Sequence, residues 1–465
     1  MKQFYGRILI LGYGKVGEGL ISLIFKHIDI DAKQIIIVDS IDKKLALRQW
    51  ISQGIQFCQK QILLHNYQNE LSQYLKEGDV LIDLSSRTGT LDIAKWCHSK
   101  DVMYLNSSLE RWSEIESLYF YPDQVSLKKI IKEIDYKGAT AVFQHGANPG
   151  IVSHLTKLGL LDMANYSLKT LKKEDLRKKI ETHLQDNNFP FLARDLGVKV
   201  VHITDLDTQC LNRVKQPNEF INTWSIPSFT EEAISYSEFS WGTHEKNVPS
   251  HLKYFSNEKW SQVYSMLRAI DCWSHSWTAK GPMKGMLVPH PETFTIAEEL
   301  AVYKENTLQY RPTVCFVYRP CLLAIESLDE LITRNNQLQE IQYVISSEQA
   351  SGGEEVGVFL FGDQINWWTG SILSNDEVRR IIPSSNSSTL PVAGSLVAAL
   401  EWMIENPRCG FNIPENLPFR ETIETAKPYL GSLLSLPVNW SPNAQASLND
   451  RCQFSSFHTQ RNCSL

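Results

Sequence analysis

From residue 7 to about residue 150 the chain alternates short, nearly unbroken apolar runs with longer stretches whose apolar positions recur every three to four residues. The first run, residues 7–11, is followed by Val16, Leu20, Leu23 and Ile24 at helical spacing. Unbroken runs of this length mark strands buried on both faces, and the spacing marks amphipathic helices between them. Further runs lie at 35–38, 55–58, 79–84, 102–105 and 141–143, with helices predicted over 43–52, 65–76 and 91–98 and from Ile151. Strand–helix alternation predicts a doubly wound parallel sheet over residues 1–150.

The character changes after about residue 160. Residues 171–187 are charged and helical in pattern, and short β-rich runs follow at 198–203, 220–224, 285–288, 314–318, 341–345 and 356–361. The last is predicted to form a hairpin with 366–369. Strands in series imply a mixed or antiparallel sheet, so 151–389 is read as an α+β domain, to which the family resemblance given below assigns substrate binding and dimerisation. A polar link, 384–389, precedes a strongly apolar helix, 392–404, closed by Asn406-Pro407. The segment of about 390–430 is expected to rejoin the first domain, and the polar tail 441–465 to be loosely held.

The first turn carries chemistry. Gly12-x-Gly14-x-x-Gly17 sits between the first strand and its helix. The first glycine makes the tight turn, the second admits a pyrophosphate close to the backbone, and the third allows helix–sheet packing. The phosphates would rest on the free N–H groups at the helix start, including those of Lys15 and Val16. Asp39 ends the second strand at the distance expected for an acid that binds a ribose and repels a 2′-phosphate. The reading is a Rossmann-type α/β domain that binds NAD. An ordinary strand–turn–helix with turn-shaping glycines is the plain alternative. Ligands of such sheets bind beyond the carboxyl ends of the strands. Three polar segments should therefore rim the nicotinamide: Ser85-Ser86-Arg87-Thr88, 106–110, and 144–150 with Asn148 and Pro149.

The second domain sets acids and aromatics near strand ends: Asp205, Asp207, Trp224, Glu231, Glu232, His290 and Glu292. Together they suit a pocket for a cation, with carboxylates for an ammonium and an indole face for cation–π attraction. Each also has a plain role. The aspartates form turns, Trp224 fills a core, the glutamates favour a helix start, and His290 is structural.

Composition narrows the class. The chain has 465 residues, 43% hydrophobic and 21% charged, with a net charge of −6. That length calls for two or three domains, and the charge provides no basic footprint for nucleic acid or an anionic membrane. No run of about 18 apolar residues suggests a membrane span, and the start runs into the first strand, so no signal peptide is expected. Nine scattered cysteines without a Cys-x-x-Cys pair, and twelve histidines without ligand spacing, point to a reducing cytoplasm and to no metal.

Several uncommon segments, Gly146-Ala147-Asn148-Pro149-Gly150, Asp207-Thr208-Gln209, Asn222-Thr223-Trp224-Ser225, Trp241-Gly242-Thr243, Tyr310-Arg311-Pro312-Thr313 and Glu405-Asn406-Pro407, resemble the bacterial homospermidine synthases. That family belongs to the saccharopine-dehydrogenase-like group. The resemblance runs from Gly12 to about Tyr429. It implies a homodimeric enzyme with a tightly held NAD. Such an enzyme joins two putrescines, or spermidine and putrescine, with loss of ammonia or 1,3-diaminopropane; other diamines are also candidate substrates. The resemblance gives Trp224 the cationic imines, and gives Glu232 and Asp205 the binding or deprotonation of amines. Asn148, Glu110, His290 and Glu292 line the same pocket, with Asp207 beside them. Asp205 stands where the family has Glu, and Arg87 is unexpected beside a cation site; it is expected to face a cofactor phosphate or solvent. A saccharopine-type reductase, whose substrates carry carboxylates, and an inactive NAD-binding sensor are the alternatives.

Overall fold

The computed structural model describes residues 1–461 apart from 116, 135 and 257–261. Its first sheet has seven parallel strands in the spatial order Phe411–Asn412, Ala141–Val142, Met103–Asn106, Val80–Asp83, Ile8–Leu11, Ile35–Asp39, Gln56–Gln59. Alternate side chains of one strand enter different cores. Ile8 and Ile10 pack with helices Lys15–His27 and Thr389–Glu405, whereas Leu9 and Leu11 pack with Thr90–Ser99 and Tyr121–Ile134. That two-sided burial explains the unbroken apolar run.

The larger sheet has eleven strands and is mixed. Thr313–Arg319 runs parallel to Val198–Asp207, which on its other edge pairs antiparallel with Gly353–Gly362. The predicted hairpin is Gly353–Gly362 with Asn366–Ser374. Helix Ile151–Ser167 covers one face of this sheet. The run at 220–224 lies elsewhere: its strand is Glu219–Asn222, paired in parallel with Ile341–Val344 in a separate two-stranded sheet. Trp224 thereby falls in a turn, just before helix Ile226–Ile234.

Helix Thr389–Glu405 packs along Lys15–His27, and Phe411–Asn412 adds a strand beside Ala141–Val142. The chain then returns to the larger sheet at Ser432–Val438. Two segments depart from the sequence reading. The polar link is no linker: Ser385, Asn386, Ser387 and Thr389 are buried. Asn386 Nδ2 donates to Thr223 O and Ile345 O at 2.6 Å each, and its Oδ1 accepts from the Ser388 and Thr389 N–H groups. The tail is docked rather than loose through residue 460. His458–Gln460 pairs with Cys272–Thr278, Cys452, Phe454 and Phe457 are buried, and buried Glu245 accepts from the Phe454 N–H. Two phenylalanines three residues apart supply the apolar anchor that the tail's polar composition conceals. No helix of the described residues is long and apolar enough to cross a membrane.

Candidate active site

One cavity of about 720 Å³ lies at the carboxyl ends of the first sheet's strands and is closed by the larger sheet. At its first end the backbone is shaped for a dinucleotide. Gly12 has φ +86°, and a Cβ there would stand 2.8 Å from Leu84 O and Ser85 N. Gly14 is free of such contacts, with nothing within 4 Å of a Cβ, so the space before the helix is open. No side chain caps helix Lys15–His27, which leaves the N–H groups of Lys15, Val16 and Gly17 for an anion. Asp39 is held by the N–H groups of Tyr13 and Ile41, at 2.7 and 2.8 Å, and lines the cavity. Each carboxylate oxygen keeps a lone pair for a ribose hydroxyl. These residues fit NAD.

Ser85, Ser86 and Thr88 line the middle of the cavity, as do Asn148 and Pro149. The Ser85 hydroxyl is committed inward, donating to buried Asp83 at 2.5 Å. Ser86 is exposed.

The deeper end gathers acids from both sheets. Asp205 accepts from Asn148 Nδ2 at 3.0 Å, and its other oxygen has no hydrogen-bond partner. Burial, then the neighbouring Asp207 charge, pushes its carboxyl up to about 7. Glu232 is pushed up to about 8, first by burial. Its nearest cation is His290, whose Nε2 lies 3.8 Å away. The His290 Nδ1 meets Glu292 at 2.5 Å, so two carboxylates flank the ring and hold its pKa up against burial, which alone would lower it. Glu110 accepts from the Arg87 N–H and Ser108 Oγ, yet burial raises it to about 7. Trp224 lines the cavity between these groups. Its N–H is tied back to Tyr318 OH at 3.1 Å, which leaves the ring for a ligand.

Two expected residues stand one layer behind. Asp207 accepts from Thr223 Oγ1 and the Gln209 N–H, at 2.7 and 2.8 Å, and does not line the cavity. Glu292 likewise reaches it only through His290. Two lining residues went unread in the sequence. Glu354 faces the same space beside Asp205, accepts from Ser388 Oγ at 3.0 Å, and is held well above the usual carboxylate range by burial and the two aspartates. Tyr318 carries the hydroxyl that anchors Trp224. The available signal was an acid pair, Glu354-Glu355, leading into an otherwise apolar strand.

Arg87 lies on the cavity lining with its side chain exposed, in a turn of positive φ, +64°. It acts on Glu231: its guanidinium and that of Arg111 oppose the burial that raises this carboxyl.

Two family descriptions match the chain, the saccharopine dehydrogenase NADP binding domain over residues 8–142 and the saccharopine dehydrogenase C-terminal domain over 146–435. The homospermidine synthase of Blastochloris viridis is 31% identical over 455 residues, covering 94% of this chain and 92% of that protein. The homospermidine synthase of Mesorhizobium japonicum is 31% identical over 461 residues, covering 95% and 92%. The crystal structure of the Legionella pneumophila homospermidine synthase in complex with NAD superposes with a TM-score of 0.88 at 33% identity, covering 99% of each chain.

Proposed function

The chain belongs to the homospermidine synthases, within the saccharopine dehydrogenase group, and from that premise we propose that it transfers an aminobutyl group between amines. Two putrescines, or spermidine and putrescine, give homospermidine with release of ammonia or 1,3-diaminopropane. The cofactor is NAD: Asp39 would hold the ribose hydroxyls, and its carboxylate would repel a 2′-phosphate. Bound NAD supplies a store for the hydride that leaves the donor carbon and later returns to it.

The observation that carries this reading is charge. Asp205 and Glu354 are buried in one cavity with half-buried Glu232, and among the described residues none of the three is paired with a lysine or arginine. Asp205, raised to about 7, and Glu232, raised to about 8, have His290 as their neighbouring basic group and no lysine or arginine, and a protonated diamine supplies the missing positive charge. An ammonium must lose a proton before its neighbouring carbon gives up a hydride. Glu232, with His290 and Glu292 behind it, accepts that proton. The Asp205–Glu354 pair, with Asn148, holds the amine at the far end of the donor. The ring of Trp224 holds the cationic imine by cation–π attraction, worth about 2 kcal/mol when desolvated. Enclosure between two sheets keeps that hydrolysable species from water. A saccharopine-type pocket would need basic residues at this deep end.

The same reading makes the protein a cytoplasmic homodimer joined through the larger sheet, which light scattering checks. Purified protein, assayed for bound NAD and then given putrescine alone, tests the reaction. Homospermidine and ammonia in equal amounts support it; accumulating NADH marks a dehydrogenase, and binding without turnover a sensor.

A further inference from the structure

Polar segments that follow the strands Val80–Asp83, Met103–Asn106 and Ala141–Val142 line the cavity, and the last of them leaves one group over. Gln144 is 1% exposed and lines the cavity, yet its Nε2 has no hydrogen-bond partner. Its surroundings are held. The Gln144 N–H donates to Asn106 Oδ1 at 2.8 Å, and the His145 N–H donates to Asn106 O at 2.9 Å. The His145 ring sits between Ser395 Oγ at 2.8 Å and His154 Nε2 at 3.1 Å, and Asn148 donates to Asp205. The backbone at Gln144 has φ +58°, a left-handed conformation uncommon outside glycine. A buried donor without an acceptor and an unfavourable backbone are both costs, and such costs gather where a ligand is received.

We propose that Gln144 grips the carboxamide of the nicotinamide and so fixes which face of that ring meets the donor carbon. The proposal rests on the NAD-linked transfer described above. Strand order gives the place. Asp39 ends the strand on one side of Ile8–Leu11, whereas the strand before Gln144 lies on the other side, beyond Val80–Asp83 and Met103–Asn106. A dinucleotide lies across the crevice with its two halves on opposite sides of the first strand. An adenosine half over Asp39 therefore sends the nicotinamide toward Gln144. Chemistry narrows the partner. An amide N–H is a donor and has nothing to offer an ammonium, which carries donors only. The pyrophosphate takes the helix start and the ribose takes Asp39, so the carboxamide is left needing both an acceptor and a donor. The last torsion of an amide side chain is soft. Turning it sets Gln144 Nε2 on the carboxamide oxygen and Oε1 on the carboxamide N–H, a matched pair.

The test compares NAD with ADP-ribose, which lacks only the nicotinamide, by calorimetric titration of protein freed of nucleotide. Gln144→Met removes the amide and keeps an unbranched side chain at the same φ. It should bind NAD about tenfold more weakly, the weight of one to two hydrogen bonds, and ADP-ribose as the natural chain does. A label reads the face of the ring. Given putrescine fully deuterated at both carbons next to nitrogen, the natural chain should make homospermidine that keeps every deuterium, because the deuteride that leaves the donor carbon returns to it. In Gln144→Met the ring can turn about its glycosidic bond between the two transfers. Protium from the other face then returns instead, and part of the product is one deuterium short. Equal losses of NAD and ADP-ribose binding, or no loss of either, overturn the proposal, as does full label retention in Gln144→Met. A raised KM for putrescine with NAD binding intact also overturns it, by giving the amide to the amine. Failure of the natural chain to form homospermidine would end the aminobutyl reading alone, and the two titrations would still decide the role of Gln144.

Discussion

At the scale of single residues, Trp224 separates a cation site from a packing site. Its ring borders the cavity and its N–H is already satisfied by Tyr318, so Trp224→Ala removes a surface without orphaning a donor inside the pocket. Bound NAD should remain, while turnover of putrescine falls about 30-fold, the equivalent of one desolvated cation–π contact. Near-normal turnover would assign the indole to the core. Gly14→Val tests the opposite end. A Cβ at Gly14 meets no atom within 4 Å, so the fold should survive with its melting temperature intact while NAD is lost on gel filtration. Glu232 predicts a pH effect. Its carboxyl, held near 8, must ionise to take a proton, so kcat/KM for putrescine should climb with pH toward about 8 and then level off. Glu232→Gln should be slow and should lack that limb, and an unchanged profile would remove Glu232 from proton transfer.

At the scale of elements, the polar segment before helix Thr389–Glu405 binds the site together. Asn386 alone fixes Thr223, Ile345, Ser388 and Thr389, and Ser388 in turn holds Glu354. Asn386→Ala leaves several buried groups unpartnered, each costing about 1–3 kcal/mol. Denaturant unfolding should show a loss of at least about 3 kcal/mol, together with a weaker KM for putrescine. This segment also marks where sequence reading ran short. The alternating strands and helices of the first sheet were legible because two-faced burial writes a local pattern, Ile8 and Ile10 to one core, Leu9 and Leu11 to the other. Gly12, Gly14 and Asp39 were legible for the same reason, since their spacing is local. Glu354 was not, because its place depends on register between distant strands, where it lies opposite Asp207. Ser385 to Thr389 read as a linker because composition reports polarity and not whether polar groups find each other. Phe454 and Phe457 were overlooked in a tail judged by its average.

At the scale of the whole molecule, the raised carboxyls set a pH dependence. Glu110, Asp205, Glu232, Glu238 and Glu245 are all held above their ordinary values, chiefly by burial, at about 7 to 8. A carboxyl whose folded pKa exceeds its unfolded value favours folding while protonated, so its contribution is lost as pH rises from the unfolded pKa through the folded one. The melting temperature of the diamine-free protein should therefore fall between about pH 5 and pH 8.5. Putrescine should flatten that fall by stabilising most at the alkaline end, where the acids of the cavity are charged. A diamine effect equal at both ends of the range would mean that binding does not draw on those acids.

The path of the chain between its two sheets has a mechanical result. The chain leaves the first sheet after Ala141–Val142, comes back along Thr389–Glu405 to Phe411–Asn412, and departs again for Ser432–Val438. No single cut in the gene therefore yields two self-sufficient halves, and bisected versions should recover only when both fragments are present together. Three covalent crossings thus tie the two sheets to each other, so the cavity between them is stitched shut by the backbone as well as by packing.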